Sequence, residues 1–345
     1  MVDCFEGETI AVAAAQRVDE GRLSAYLLDE LGLRLDWVRQ MSGGQSNPTF
    51  LLGTGDGEFV LRKPPPGALL PSAHAVDREF KVLLALSSDC FPVPKPLVFC
   101  SDTSVIGTPF YVMERLRGRI FASPQLDNIR EEDRGANYGA MAETLARLHL
   151  VDYRKIGLSD FGRPEGYFKR HIARLSQQWE KSKTRENPAL DRLLGWLLTA
   201  APGDEPDSIF HGDFRLGNLM FHAREPRVIG VLDWELATLG PSAVDVAHSA
   251  MGFFYPETHP DFVRGGQAGI PSKDDYFDRY CAIAGTDRRP TKFHEVFVVF
   301  RMAVFYEGIL FRAKSGVASS SRAMEVGARG IELADRAWEM SQEQD

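Results

Sequence analysis

The stretch from Ile209 to Asp245, IFHGDFRLGNLMFHAREPRVIGVLDWELATLGPSAVD, constrains this chain more than any other. A short apolar lead enters His211-Gly212-Asp213, and Asn218 follows five residues after that aspartate. A second apolar run, Val228 to Leu232, then delivers Asp233. Each polar residue stands at the end of a strand-like segment, so two carboxylates and an amide are expected to converge.

That trio suits one chemistry. Phosphoryl transfer needs mainly positioning and charge neutralisation, with little covalent work by the protein. Asp213 occupies the base position of an H-x-D-x-x-x-x-N pattern, where a carboxylate accepts the attacking hydroxyl's proton. Asn218 and Asp233 offer hard oxygen ligands of the kind Mg²⁺ prefers. A neutral amide at 218 avoids a third negative charge near a triphosphate. His211 is expected to hold the loop, Gly212 to allow its tight turn, and Asp245 to brace it. Arg215 is open between touching phosphate or substrate and bracing the loop.

The same pattern belongs to the protein-kinase architecture. The expected fold is therefore α+β and two-lobed, with an N-terminal antiparallel sheet plus helix and a larger, mainly helical C-terminal lobe. Residues 1–115 would form the nucleotide-binding lobe and 116–345 the catalytic and substrate-binding lobe.

Upstream residues fit this frame. Arg22 to Leu31 has helical apolar spacing and stops at Gly32. Ser42-Gly43-Gly44 opens a loop of small residues between strands, where backbone N–H groups can cradle phosphate oxygens. Thr49 to Leu52 and Phe59 to Arg62 read as strands, the second ending in Arg62-Lys63 before three prolines. Successive strand residues point to opposite faces, so only one of these cations can serve the nucleotide phosphates. Arg62 is favoured, with Lys63 in reserve, and Glu79 on the helix His74 to Leu86 is its expected partner. Val76, Phe80, Leu83 and Leu84 form that helix's apolar side. The run Tyr111 to Gly118 would close the first lobe, offering main-chain groups of Glu114 and Leu116 to an adenine edge.

Helical spacing recurs over Arg134 to Leu150, Tyr167 to Trp179, Leu190 to Leu198, Tyr276 to Ile283, His294 to Ala313 and Ala323 to Met340. His149 reads as packed or capping. Phe293, Phe297, Phe300, Phe305 and Phe311 are expected mainly in the core.

Composition excludes several classes. A net charge of −8 and a pI near 5.6 disfavour a nucleic-acid partner. No run approaches the ~18 apolar residues of a membrane span. The acidic start, MVDCFEGETI, lacks the basic and apolar regions of a secretory signal, so the cytoplasm is expected. The four cysteines form no CxxC pair and read as scattered thiols. Nothing in the sequence sets the oligomeric state.

HGDFRLGN and VLDWELATLG resemble the catalytic and metal segments of the aminoglycoside phosphotransferase and choline-kinase-like family, which has a protein-kinase-like fold. The chain is more closely similar to the phosphotransferase domain fused to certain acyl-CoA dehydrogenases and to its free-standing bacterial relatives. That resemblance extends through LRLDWVRQMSGGQSNPTFLL, FVLRKPPPGALLPSAHAVDREFKVLLAL, PFYVMERLRG and RMAVFYEGILFRAKSGVASS. It implies ATP and Mg²⁺ as cofactors, Asp213 as base, Asn218 and Asp233 as metal ligands, and Arg62 with Glu79 on the phosphate side. It also implies a small-molecule hydroxyl as acceptor, with a hydroxyacyl-CoA thioester as the substrate class of the fused members. Gly240-Pro241-Ser242 departs from the Gly-Asp pair usual in aminoglycoside kinases, leaving Asp245 with less support.

Two alternatives stand beside that reading. An aminoglycoside-type antibiotic kinase would need a carboxylate-rich pocket, whereas the region after Met251 mixes acids with Arg264, Arg279, Arg288, Arg289, Arg301 and Arg312. A non-catalytic nucleotide-binding pseudokinase module would lose base or metal ligands, yet Asp213, Asn218 and Asp233 are all present.

Overall fold

The structure, a computed structural model, describes residues 9–13, 16–41, 47–65, 75–163, 165–317 and 322–343. Two compact units emerge. The first takes the described residues of 1–120, 153–159 and 217–237, and the second those of 121–152, 160–216 and 238–345.

In chain order, strand β1 (Thr9–Ile10) precedes helix α1 (Glu20–Leu31) and strands β2 (Leu35–Met41), β3 (Thr49–Thr54) and β4 (Gly57–Arg62). Helix α2 (Val76–Ser88), strand β5 (Pro96–Cys100), the short helix α3 (Thr103–Ile106) and strand β6 (Phe110–Glu114) follow. Then come α4 (Glu131–Leu150), α5 (Tyr167–Ser182), α6 (Pro188–Ala200), β7 (Asp207–Phe210), β8 (Leu219–Phe221), β9 (Val228–Val231) and β10 (Thr238–Pro241). The chain ends in α7 (Ser242–Ser249), α8 (Lys273–Ala284), α9 (Lys292–Lys314), α10 (Ala323–Ala328) and α11 (Gly330–Gln342).

The first unit is built on a six-stranded antiparallel sheet in the order β1-β2-β3-β4-β6-β5. Its core gathers Leu23 and Leu27 of α1 with Phe50, Leu52, Leu61, Cys100, Phe110 and Val112 from the strands. Helix α1 starts where the Asp19 carboxylate accepts the Arg22 N–H and stops at Gly32, whose φ of 70° lies in the left-handed region. Helix α2 turns Val76, Glu79, Val82, Leu83 and Leu86 inward. Leu84 is exposed, contrary to the apolar side read from sequence, because the inward stripe centres on Glu79 and Leu83. The β8–β9 hairpin belongs to this unit. Gly118 packs so closely on it that a Cβ there would stand 2.2 Å from the Phe221 carbonyl oxygen.

The second unit pairs β7 with β10 and is otherwise helical. Helix α9 is its centre, packing against α5, α6, α7, α10 and α11. Phe293, Val296, Phe297, Val298, Val299, Phe300, Val304 and Leu310 are all buried along it, so most of its circumference faces protein. Phe305 and Phe311 are the exceptions: both are exposed, which corrects their expected core placement.

The helix expected over Ala323 to Met340 is two helices meeting at Arg329. Flanking glycines explain the break. A Cβ on Gly327 would stand 2.6 Å from the Leu310 backbone nitrogen, and one on Gly330 would stand 2.9 Å from Glu307 Oε1. Backbone of these two short helices thus lies directly on α9. Among the described residues, no helix is long and apolar enough to cross a membrane.

Candidate active site

The first unit carries a charge cluster. Arg62, at the end of β4, directs its guanidinium at two carboxylates: NH1 lies 3.2 Å from Glu79 Oε2, and NH2 lies 3.2 Å from Asp233 Oδ1. Glu79 is almost fully buried and also accepts hydrogen bonds from the Tyr111 hydroxyl, at 2.9 Å, and from Asn47 Nδ2. Burial pushes the Glu79 pKa above the ordinary carboxylate value, although Arg62, Tyr111 and Asn47 all pull it down. Lys63 points elsewhere. Its ammonium donates to Gln16 Oε1 at 2.9 Å and lies over the Phe50 ring, so Arg62 is the cation that meets Glu79.

Asp233 follows β9 with φ of 64°, a left-handed backbone that aspartate tolerates better than most side chains. Trp234 anchors this turn. Its indole N–H donates to the Val231 carbonyl at 3.0 Å, and its ring meets Phe91 edge-on. Asn218 is buried in the same unit, and its carbonyl accepts the Leu232 N–H at 2.9 Å, one residue before Asp233. Arg62, Glu79, Asn218 and Asp233 are therefore gathered together.

Glu114 ends β6 with its N–H donated to the Lys95 carbonyl, while its carboxylate accepts the Lys95 N–H at 2.8 Å. Leu116 lies beyond the strand, and its side chain packs where a Cβ on Gly230 would otherwise stand. Its N–H has no hydrogen-bond partner among the described residues. Ser42, Gly43 and Gly44 lie outside the described residues.

The second unit carries Asp213 on the loop after β7. Gly212 has φ of 88°, the conformation the loop needs before the aspartate. Asp245, fully buried on α7, accepts the His211 N–H at 2.7 Å with Oδ2 and the Gly212 N–H at 3.0 Å with Oδ1. His149 reaches the same carboxylate at 3.4 Å and hydrogen-bonds Tyr280 through its other nitrogen, at 2.7 Å. Burial raises the Asp245 pKa, but these donors prevail and hold it below the usual value. The brace is complete despite the Gly-Pro-Ser departure just before it.

Asp213 is placed differently, with its side chain 29% exposed. His248 Nε2 lies 3.0 Å from Oδ1, and Arg215 Nε lies 3.3 Å from Oδ2. Burial pushes its pKa up, yet His248, Arg215 and His211 outweigh that and hold it well below the ordinary carboxylate range. Arg301 of α9 donates from one nitrogen to His248 Nδ1 at 2.7 Å and to the Gly212 carbonyl at 2.8 Å. Burial, and then the Arg301 charge, lower the His248 pKa, so the ring is neutral at pH 7.

His248 escaped the sequence reading, and Arg301 entered it only as one of several arginines after Met251. The signal for the first was its i+3 spacing from Asp245 on one helix. For the second it was a lone arginine inside the apolar run VFVVFRMAVF.

Known proteins share this chain's sequence and fold. The profile of the phosphotransferase enzyme family matches residues 37–282. Acyl-CoA dehydrogenase family member 11 of Rattus norvegicus is 41% identical over 326 residues, which cover 91% of this chain and 42% of the rat protein. The chain thus spans about two fifths of the length of that curated relative. A Ralstonia eutropha crystal structure, provisionally described as an aminoglycoside phosphotransferase, superposes with a TM-score of 0.85 at 37% identity, covering 95% of this chain and all of that one. The aminoglycoside phosphotransferase APH(4)-Ia, in ternary complex with AMP-PNP and hygromycin B, reaches a TM-score of 0.62 at 17% identity, covering 93% of this chain and 99% of its own. The fold is the kinase-like fold of the aminoglycoside phosphotransferases.

Proposed function

Because this chain belongs to the phosphotransferase enzyme family, we propose that it transfers the γ-phosphoryl group of ATP, with Mg²⁺, to a hydroxyl of a small molecule. The observation that carries this reading is the contrast between a buried Arg62–Glu79–Asp233 cluster and a partly exposed, ionised Asp213 five residues before Asn218.

Asp213 accepts the proton of the acceptor hydroxyl as its oxygen bonds to phosphorus and the bond to the ADP oxygen breaks. Arg62, fixed by Glu79, serves the phosphate side. Main-chain groups of Glu114 and Leu116 take the adenine edge, and Ser42, Gly43 and Gly44 cover the phosphates. The donor set fits Mg²⁺: an amide oxygen at 218 and a part-exposed carboxylate at 233 are hard ligands, and this ion keeps several waters and phosphate oxygens. When bound, it would neutralise charge between the phosphates.

For the acceptor we favour a hydroxyacyl-CoA thioester over an aminoglycoside. Relatives about 41% identical are named acyl-CoA dehydrogenase family members. Arg215, half exposed beside Asp213, with Arg301 behind His248, gives the base a cationic setting that suits an anionic acceptor and repels a polycation. The solved relative described as an aminoglycoside phosphotransferase keeps the second reading in play.

The test is a parallel assay of hydroxyacyl-CoA esters and aminoglycosides with Mg-ATP, reading phosphorylated product by mass. Wild type should phosphorylate a thioester, and Asp213→Asn should not. Product with neither class, or equal product from the variant, overturns the reading.

A further inference from the structure

Beyond α7, in the second unit, the chain closes a loop that carries aromatic side chains. The Val263 N–H donates to the Gly252 carbonyl at 2.8 Å, and a Cβ on Gly252 would stand 2.6 Å from Val263 Cγ2. Arg336 Nε donates to the Phe254 carbonyl and Arg329 NH1 to the Thr258 carbonyl, each at 3.2 Å. The loop is thus held at its own ends and by two arginines near the end of the chain. Three rings follow one another there. Tyr255 and His259 have centroids 4.1 Å apart, and His259 and Tyr306 of α9 lie 6.0 Å apart at 28°. All three are buried, Tyr255 keeping 5% and Tyr306 9% of its surface exposed.

Their hydrogen bonds run in one direction. A backbone N–H can only donate, so the Asp261 N–H, 3.1 Å from His259 Nδ1, requires a bare nitrogen there. Burial lowers the His259 pKa more than Asp261 and Glu332 raise it, so the ring is neutral at pH 7. Nε2 then carries the hydrogen and donates to the Tyr306 hydroxyl at 3.3 Å. The hydrogen of Tyr306 itself meets no acceptor among the described residues, and the Tyr255 hydroxyl makes no hydrogen bond among them. Buried donors without acceptors are costly, and a ligand oxygen removes that cost.

Both phenols stay protonated, because burial raises Tyr306 to about 12 and Tyr255 well above its ordinary value. The charges of Asp213 and Arg215 also act on the Tyr255 hydroxyl, and that of Arg215 on Tyr306, so the pair lies beside the base. With His259 donating to its oxygen, Tyr306 presents its hydrogen to a ligand. That suits an oxygen that accepts without donating, such as a carbonyl, and not an ammonium, which has no acceptor.

We propose that Tyr306 and Tyr255 are specificity residues, their hydroxyls donating to the thioester carbonyl oxygen of an acyl-CoA acceptor whose hydroxyl faces Asp213. The assignment rests on the hydroxyacyl-CoA reading above. His259 is a positioning residue that sets the direction of the Tyr306 hydrogen without touching substrate.

The probes are hexanoyl-CoA esters hydroxylated at C3, C4 or C5, together with their thioethers, in which CH₂ replaces the carbonyl. Wild type should phosphorylate an ester with kcat/KM about 10–100-fold above that of its thioether, as two hydrogen bonds imply. Tyr306→Phe and Tyr255→Phe should each lower that preference about 3–10-fold through KM, leaving thioether turnover unchanged. The double variant should abolish it, and His259→Leu should match Tyr306→Phe. A structural role alone would lower ester and thioether turnover equally, and that result overturns the proposal. So does a double variant that keeps the wild-type preference. Equal turnover of ester and thioether by wild type overturns it before any variant is made, which covers variants that do not fold. If wild type phosphorylates no ester and no thioether, the hydroxyacyl-CoA reading falls and this assignment with it, whereas the other adverse results overturn the assignment alone.

Discussion

Three aspartates occupy the two units in three different ways. Asp233, in the first, is compensated by charge, sharing Arg62 with a buried glutamate. In the second, Asp213 meets an imidazole and a half-exposed arginine, while Asp245 meets backbone N–H groups and His149. A charge-compensated carboxylate can exchange its cation for another, as a metal-binding role requires. A carboxylate with both oxygens engaged by donors and no exposure is a brace. One that is ionised and partly exposed is placed to meet a substrate.

The largest test of that division is Asp213→Asn. Loss of a general base should lower transfer about 10²–10⁴-fold while leaving Mg-ATP affinity near wild type, measured by calorimetry. An equal loss of nucleotide binding would break the separation of roles. Glu79→Ala comes next. Removing one member of the buried pair should destabilise the protein by about 3–5 kcal/mol and weaken Mg-ATP binding, read by denaturant melts and titration. Asp245→Asn should cost about 1–3 kcal/mol, since an amide NH₂ then faces backbone donors. Its kcat should drop with the loosened His211–Asp213 segment, and unchanged stability would mean that the two backbone bonds do not hold the loop.

The last test concerns acid. His171 stacks on Tyr167 with centroids 4.0 Å apart, and burial, with Arg174, Arg301 and Arg170 nearby, lowers its pKa to about 3. Unfolded, it would take up a proton near pH 6.5, while the native ring stays neutral until about pH 3. Stability should therefore fall as pH drops through that window. Asp213, whose native pKa is also depressed, adds a loss only below the ordinary carboxylate range. His171→Phe, keeping the stacked ring, should flatten the slope between pH 6.5 and 4 in urea melts.

Most of this arrangement could be read from local sequence. The central stretch announced Asp213, Asn218 and Asp233 because strand periodicity and fixed spacing are properties of adjacent residues. Strand alternation also limited the cation to one of Arg62 and Lys63, without deciding which. What escaped depends on distant segments packing. Nothing near His248 or Arg301 reveals that they meet, because 53 residues separate them. The splitting of α10 from α11 and the exposure of Phe305 and Phe311 likewise follow from helix packing. Periodicity marks an apolar stripe but does not say how far around the helix the neighbours reach.

The hairpin that presents Arg62 has a further implication for how this chain can vary. Strands β3 and β4 are joined by only Gly55 and Asp56, with Thr54 opposite Gly57 and Thr49 opposite Arg62. The turn is pinned on both sides: the Thr54 hydroxyl donates to the Gly57 carbonyl at 3.0 Å, and the Asp56 N–H donates to that hydroxyl at 3.2 Å. Because side chains alternate along a strand, one residue inserted here and absorbed by β4 would carry Arg62 to the far face and bring Lys63 or Leu61 toward Glu79. Many substitutions in this turn leave the choice of cation untouched, whereas a single insertion rewrites it. Loop length at this corner thus sets which side chain meets Glu79, as surely as the identity of residue 62 does.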